Sequence, residues 1–159
     1  MTSFRLRGID PRPLLPLFAL DAAALAAHDA VRCVATADRG FPCRIGLVDA
    51  QAGEELLLLP YWHQPAASPY RASGPIFIRR DARPAELAID EVPPYVTSRL
   101  ISLRAYNRGD RIVAAEVVPG TSVADWLGER LADRQVAYIH LHNARYGCYS
   151  CRADRADRA

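Results

Sequence analysis

The chain has 159 residues, enough for one domain with a real core; half of them are hydrophobic and 24% charged, as in water-soluble globular proteins. All 20 basic residues are arginine, which excludes chemistry that needs a lysine amine: Schiff bases, covalently held pyridoxal phosphate and Walker-type phosphate loops. A net charge of +2, with the arginines dispersed, predicts no nucleic-acid partner.

No apolar run approaches the length that crosses a bilayer, so no membrane partner is expected. Arg5, Arg7 and Arg12 ahead of LLPLFAL imitate a signal peptide, but Pro13, Pro16 and Asp21 interrupt the segment. Four cysteines at this length do not make a secreted disulfide framework, and a cytoplasmic location with reduced thiols is expected.

In chain order, residues 4–9 alternate and predict a strand, and 13–20 predict one or two helical turns. Asp21 is placed to cap a short helix over 22–28. Strands follow at 31–36 and 43–48, the second paired through 49–53 with a strand at 54–59. Residues 60–73 read as a long aromatic loop, 74–80 as a strand, 83–94 as a polar connection and 95–99 as a helical turn. Strands at 101–106 and 111–118 flank the turn Asn107-Arg108-Gly109-Asp110. Thr121 or Ser122 then caps a helix reaching about Ala132, with Ser122 and Asp125 resembling a capping box. Strands at 136–142 and 148–152 close the pattern. It predicts an α+β fold: a mixed, mainly antiparallel sheet built from hairpins with a few short helices packed on it. Residues 1–152 are expected to form a single compact domain and 153–159 a frayed tail.

The stretch AYIHLHNARYGCYSCR crowds His140, His142, Cys148 and Cys151 into one hairpin. Imidazole and thiol serve metal ligation, nucleophilic attack and redox chemistry, so a site is expected here. Alternation puts Ala137, Ile139 and Leu141 on one apolar face and Tyr138, His140 and His142 on the other. If Cys148 opposes His142, an imidazole meets a thiol; slipped by one, Cys151 faces His140. Cys148 and Cys151 are three apart and point to opposite faces, which disfavours a paired-thiol zinc site. No cofactor is predicted; a transition metal would sit on His140 and His142 with Cys148 or His63. Cys33 and Cys43 read as core residues, with Arg44 aimed at the face opposite Cys43. In the 60–73 loop, Arg71 could grip a carboxylate or phosphate while Trp62 and Tyr70 wall it.

The segments FRLRGIDP, GFPCRIGLVDAQAGEELLLLPYWHQPAASPYRASGPIFIRR, LISLRAYNRGDRIVAAEVV and AYIHLHNARYGCYSCRADRA resemble the bacterial family catalogued as domain of unknown function 1203. The resemblance implies one stand-alone bacterial domain and supplies no catalytic residues.

Two function classes follow. In the first, a small-molecule binder or enzyme has a pocket between the 60–73 loop and the 136–152 hairpin. Cys148 or Cys43 is its candidate nucleophile and His140 or His142 the base. Its ligand-binding candidates are His63, Tyr70, Arg71, Arg104, Tyr106 and Asn143, and its expected partner is a small anionic molecule. In the second, a non-catalytic module self-associates through the aromatic loop as a homo-oligomer. A mononuclear metal site on His140 and His142 is a further alternative.

Overall fold

The structure, a computed structural model, describes residues 1–157; residues 158–159 of the expected tail lie outside the described residues. Strands β1 (Phe4–Arg7), β2 (Val31–Val34), β3 (Pro42–Cys43), β4 (Val48–Asp49), β5 (Glu55–Gln64) and β6 (Ala72–Arg79) fill the first half. Strands β7 (Leu100–Tyr106), β8 (Ile112–Pro119), β9 (Tyr138–Asn143) and β10 (Tyr149–Arg155) fill the second. The α-helices among the described residues are α1 (Ala22–Ala26), α2 (Pro94–Thr97) and α3 (Val123–Ala132), and Leu15–Ala19 and Gly120–Ser122 form short 3-10 helices. The fold is α+β and mainly antiparallel, and its strands divide into two sheets.

Sheet I has the order β1-β10-β9-β7-β8 and is antiparallel throughout. Its apolar face carries Leu6, Ile101, Leu103, Ile139, Leu141 and Cys151, which bury against α3 through Val123, Leu127 and Leu131. β10 runs to Arg155 and pairs with β1, so residues 153–155, expected in a frayed tail, are strand. The helix expected from Ser122 forms, without the predicted capping box: the Ser122 side chain caps nothing, and Ser122 itself has helical backbone angles. Asp21 does cap α1, accepting the Ala24 amide at 2.8 Å.

Sheet II has the order β2-β5-β6-β3-β4, antiparallel except where Cys43 pairs in parallel with Phe77. The strand expected over 43–48 is instead β3, a turn and β4, paired with each other. Leu47 takes a left-handed φ of 52° and its amide closes the turn on the Cys43 carbonyl at 3.0 Å. Burial drives this: Ile45 and Leu47 enter two different cores, which a straight strand would not reach. The long loop expected over 60–73 is also corrected, because β5 continues to Gln64 and β6 starts at Ala72. Pro60 sits opposite Pro75, and two residues lacking N–H can face each other only at a non-hydrogen-bonded position.

Glycine fixes one close approach that the sheets depend on. A Cβ on Gly120 would lie 2.0 Å from the Val96 carbonyl oxygen, where α2 meets the turn into α3. Gly120→Ala is therefore expected to destabilise by about 1–3 kcal/mol or more, since backbone must move. Gly74, with open space around its Cβ position, should accept alanine within about 0.5 kcal/mol. Urea unfolding of the two variants checks this.

Candidate functional site

The second face of sheet I carries the chemistry. Tyr138, His140 and His142 alternate with core residues along β9, as their spacing predicts. On β7, Ser102 opposes His142, Arg104 opposes His140 and Tyr106 opposes Tyr138. On β10, Tyr149 opposes His142 and Arg152 opposes His140, with a register shift between Tyr149 and Cys151. Neither hairpin register expected from the sequence occurs. Counting regularly from Tyr149 would bring Cys151 to His140, but the extra residue, Ser150, turns Cys151 to Leu141 and the apolar core. The bulge takes the thiol out and puts Arg152 in its place.

Sheet II lays a second row over this face. Leu57, Leu59 and Tyr61 bury or half-bury along one side of β5, packing in the same cluster as Tyr149. His63 continues that row. Its ring stacks on Tyr149, with centroids 5.5 Å apart and planes at 9°, and meets His142 edge-on at 4.9 Å. His140 lies 6.2 Å from His63 and 6.4 Å from His142. Tyr106 packs 4.9 Å from His140 and Tyr70 meets Tyr106 edge-on at 6.4 Å. Gln64 donates to the Tyr138 hydroxyl at 2.7 Å, and that hydroxyl donates to Asp110 at 2.6 Å, which pins the end of the cluster.

The imidazoles are sealed but poorly partnered. His142 Nδ1 lies 2.9 Å from the Gly147 carbonyl, an acceptor only, so Nδ1 carries the proton and donates. That leaves a lone pair on Nε2, which is buried without a partner. Both ring nitrogens of His63 and the Nδ1 of His140 are likewise buried and unpartnered. Burial pushes His140 down to about 3, helped by His142, His63, Arg152 and Arg104. Burial also takes His142 down to about 3, against the pull of its Gly147 bond and with Arg104, His63 and Arg44 assisting. His63 is lowered by burial and then by Arg104. All three are neutral at pH 7.

The surrounding charge is positive. The ion pairs among the described residues engage Arg7, Arg12, Arg32, Arg79, Arg80, Arg99 and Arg152; they do not include Arg44 or Arg104. Arg44 is 3% exposed and donates to the Tyr149 and Pro42 carbonyls at 2.8 and 2.6 Å. The sequence set Arg44 only on the face opposite Cys43; the structure brings it to the backbone of Tyr149, at the edge of the ring cluster. Arg104 is half-buried at the site itself, next to the Tyr106 phenol.

The other candidates separate. Cys43 is buried, and its Sγ accepts the Arg79 amide at 3.3 Å; Cys148 sits in the turn, its Sγ 3.9 Å from the Tyr146 carbonyl. Neither sulfur is hydrogen-bonded to an imidazole, so the structure supplies no thiol–base pair. Cys33, expected in the core, is half-buried on the edge strand β2. Arg71 stacks over Trp62 at 4.6 Å and donates to the Pro65 carbonyl, rather than reaching the histidines. Asn143, on the opposite face from His142, lines a separate cleft of about 400 Å³ with Asp49, Arg99 and Tyr146. The larger cleft, about 730 Å³, lies beside β1 and was not anticipated. Sequence reasoning missed Gln64 and Tyr149 and placed Tyr61 only in the aromatic loop; alternation continued from Leu57 would have aligned Leu59, Tyr61 and His63.

His63, His140 and His142 are the residues that could hold a metal. Among the described residues, no group of three or more His, Cys, Asp or Glu has metal-holding geometry. Arg44 and Arg104, neither of them in an ion pair among the described residues, also work against a cation and in favour of an anion. No helix among the described residues is long and apolar enough to cross a membrane.

A family model described as "Protein of unknown function (DUF1203)" matches residues 40–155. No curated protein and no solved structure matches the chain.

The buried histidines set an acid limit. Unfolded imidazoles take up protons below their ordinary value of 6.5, whereas the folded His140 and His142 resist down to about 3. The unfolded chain therefore binds more protons in this window, and stability falls as pH drops through it. The slope is at most about 1.4 kcal/mol per pH unit for each histidine. Urea unfolding of His140→Gln between pH 6 and 4 should show a shallower slope than the parent; equal slopes would mean that His140 is not buried in its neutral form. A native thiol titration should label Cys33 and Cys148 and spare Cys43 and Cys151 until the protein unfolds.

Proposed function

The chain belongs to the DUF1203 family, for which no activity is assigned, and we propose that this member binds a small anionic molecule at the histidine–tyrosine–arginine cluster between its two sheets. The observation that carries the reading is Arg104: a half-buried guanidinium without a carboxylate, beside imidazole nitrogens that are sealed and unpartnered. Burying a charge unpaired is costly, and a bound anion would supply the missing partner. In this reading Arg104 holds the charge through a bidentate contact. His63 and His140 donate from their N–H groups, and Tyr106 and Tyr70 form the rim.

The neutral imidazoles give the site proton acceptors, so acid–base chemistry on a bound ligand is compatible with it. A thiol nucleophile is not part of the proposal, because the bulge at Ser150 and the partners of Cys43 and Cys148 leave no activated sulfur. A finer placement of the protein as cytoplasmic and bacterial is part of the same reading, supported by its unpaired thiols and its resemblance to the family. A second reading, association through the 60–73 segment, is favoured by Trp62 at 53% exposure and Tyr70 at 40%. It predicts a concentration-dependent oligomer in sedimentation that Trp62→Ala abolishes.

Titration calorimetry with inorganic phosphate, sulfate and acetate tests the first reading. At least one of these anions should bind at pH 7, and Arg104→Gln should weaken it tenfold or more. Because Arg104 has no counter-charge in the free protein, the same variant should lose less than about 0.5 kcal/mol of stability, or gain some. If the parent binds none of the three, or binds them as well without Arg104, the reading fails.

A further inference from the structure

Sheet I is wider than the part sheet II covers, and what remains open next to Arg104 is apolar. The ladder between β7 and β8 puts Leu100 opposite Pro119, Ser102 opposite Val117 and Arg104 opposite Ala115. Antiparallel partners share a face, so these six residues lie on the same side as His140 and His142. The intervening Ala114 and Val118 pack toward the helices, which confirms the assignment of faces. Leu100 is 45% exposed, Val117 is 52% exposed, and Ala115 and Pro119 are exposed as well. Single exposed valines are ordinary, but here the ladder makes them contiguous with a guanidinium that is in no ion pair among the described residues.

We propose that the anion is a carboxylate with an unbranched apolar chain, its headgroup on Arg104 and its chain lying along Ala115, Val117 and Leu100. This rests on the anion reading above and specifies its ligand. Charge complementarity places the carboxylate on Arg104, the half-buried guanidinium on the strip's own face; at the other end Leu100 borders the cleft that Arg39, Arg99 and Arg145 share with Asp49. Four residues along an extended strand span about 13 Å, so the strip suits a chain of moderate length rather than a bare inorganic anion. Glu116, the acidic residue of β8, points to the other face with the ladder alternation and does not oppose a carboxylate.

Calorimetry at pH 7 with acetate, hexanoate and hexylamine tests the proposal. A methylene half-covered by the strip is worth about twofold, half the free energy of full burial, so hexanoate should bind on the order of tenfold more tightly than acetate. Val117→Ser should remove that advantage while leaving acetate unchanged, and hexylamine should not bind. Val117 is exposed, so its variant keeps the fold, which thermal unfolding verifies. Equal binding of acetate and hexanoate, or an unchanged hexanoate affinity in Val117→Ser, overturns the chain subsite and leaves the anion reading standing. Absence of binding by any anion overturns both. A stable dimer in sedimentation that Val117→Ser dissociates would assign the strip to a second copy and overturn the proposal as well.

Discussion

A buried hydrogen bond from Arg44 to the backbone of the bulge ties the two sheets together at the site, alongside the one from Gln64 to the Tyr138 hydroxyl. The bulge at Ser150 interrupts the ladder between β9 and β10, and Arg44 Nε donates to the Tyr149 carbonyl there at 2.8 Å. Arg44 belongs to the turn between β3 and β4, so this contact reaches from sheet II into the irregular stretch of sheet I. A buried carbonyl left without a donor would cost about 1–3 kcal/mol, and a charged donor makes the replacement strong. Tyr149 is thereby fixed with its ring between His63 and His140, stacked on the first and edge-on to the second. That attachment positions one end of the ring cluster, and Gln64 and Asp110 anchor the other through Tyr138.

The cluster's chemistry is set by what is missing around it as much as by what is there. Asp154 neutralises Arg152, and Asp110 is spent on Tyr138, so neither carboxylate stands against Arg104. Positive charge and burial act together to keep the imidazoles unprotonated, whereas a nearby carboxylate would have charged them. The result is a set of neutral rings in a positive field. Such surroundings receive negative charge readily and can also take a proton from whatever delivers it.

Much of this was legible in the sequence. Alternation in 136–142 separates Ile139 and Leu141 from His140 and His142, and the structure keeps that division without change. The β7–β8 hairpin announces itself through Asn107-Arg108-Gly109-Asp110, and the ladder confirms it. The bulge was not legible, because an inserted residue leaves the composition of the strand unaltered and only shifts the phase beyond it. The segment GFPCRIGL misleads for a different reason. Its apolar residues suggest one strand, while Leu47 adopts a left-handed turn and Arg44 is almost wholly buried, contrary to the usual exposure of arginine. Pro60 likewise suggested a break, though the short β2 leaves that stretch of β5 free of the hydrogen bond a proline cannot make.

The pairing of β1 with β10 has a consequence for how the protein is made. Phe4 lies opposite Arg155, so β1 must wait during synthesis for the last of the described strands before sheet I can close. Until then Phe4 and Leu6 lack Cys151 and Ala153 of their shared core, and the nascent chain exposes an incomplete edge. Folding that hinges on so distant a contact is slow compared with local hairpin formation, and shortening the chain before Tyr149 would strand β1 for good.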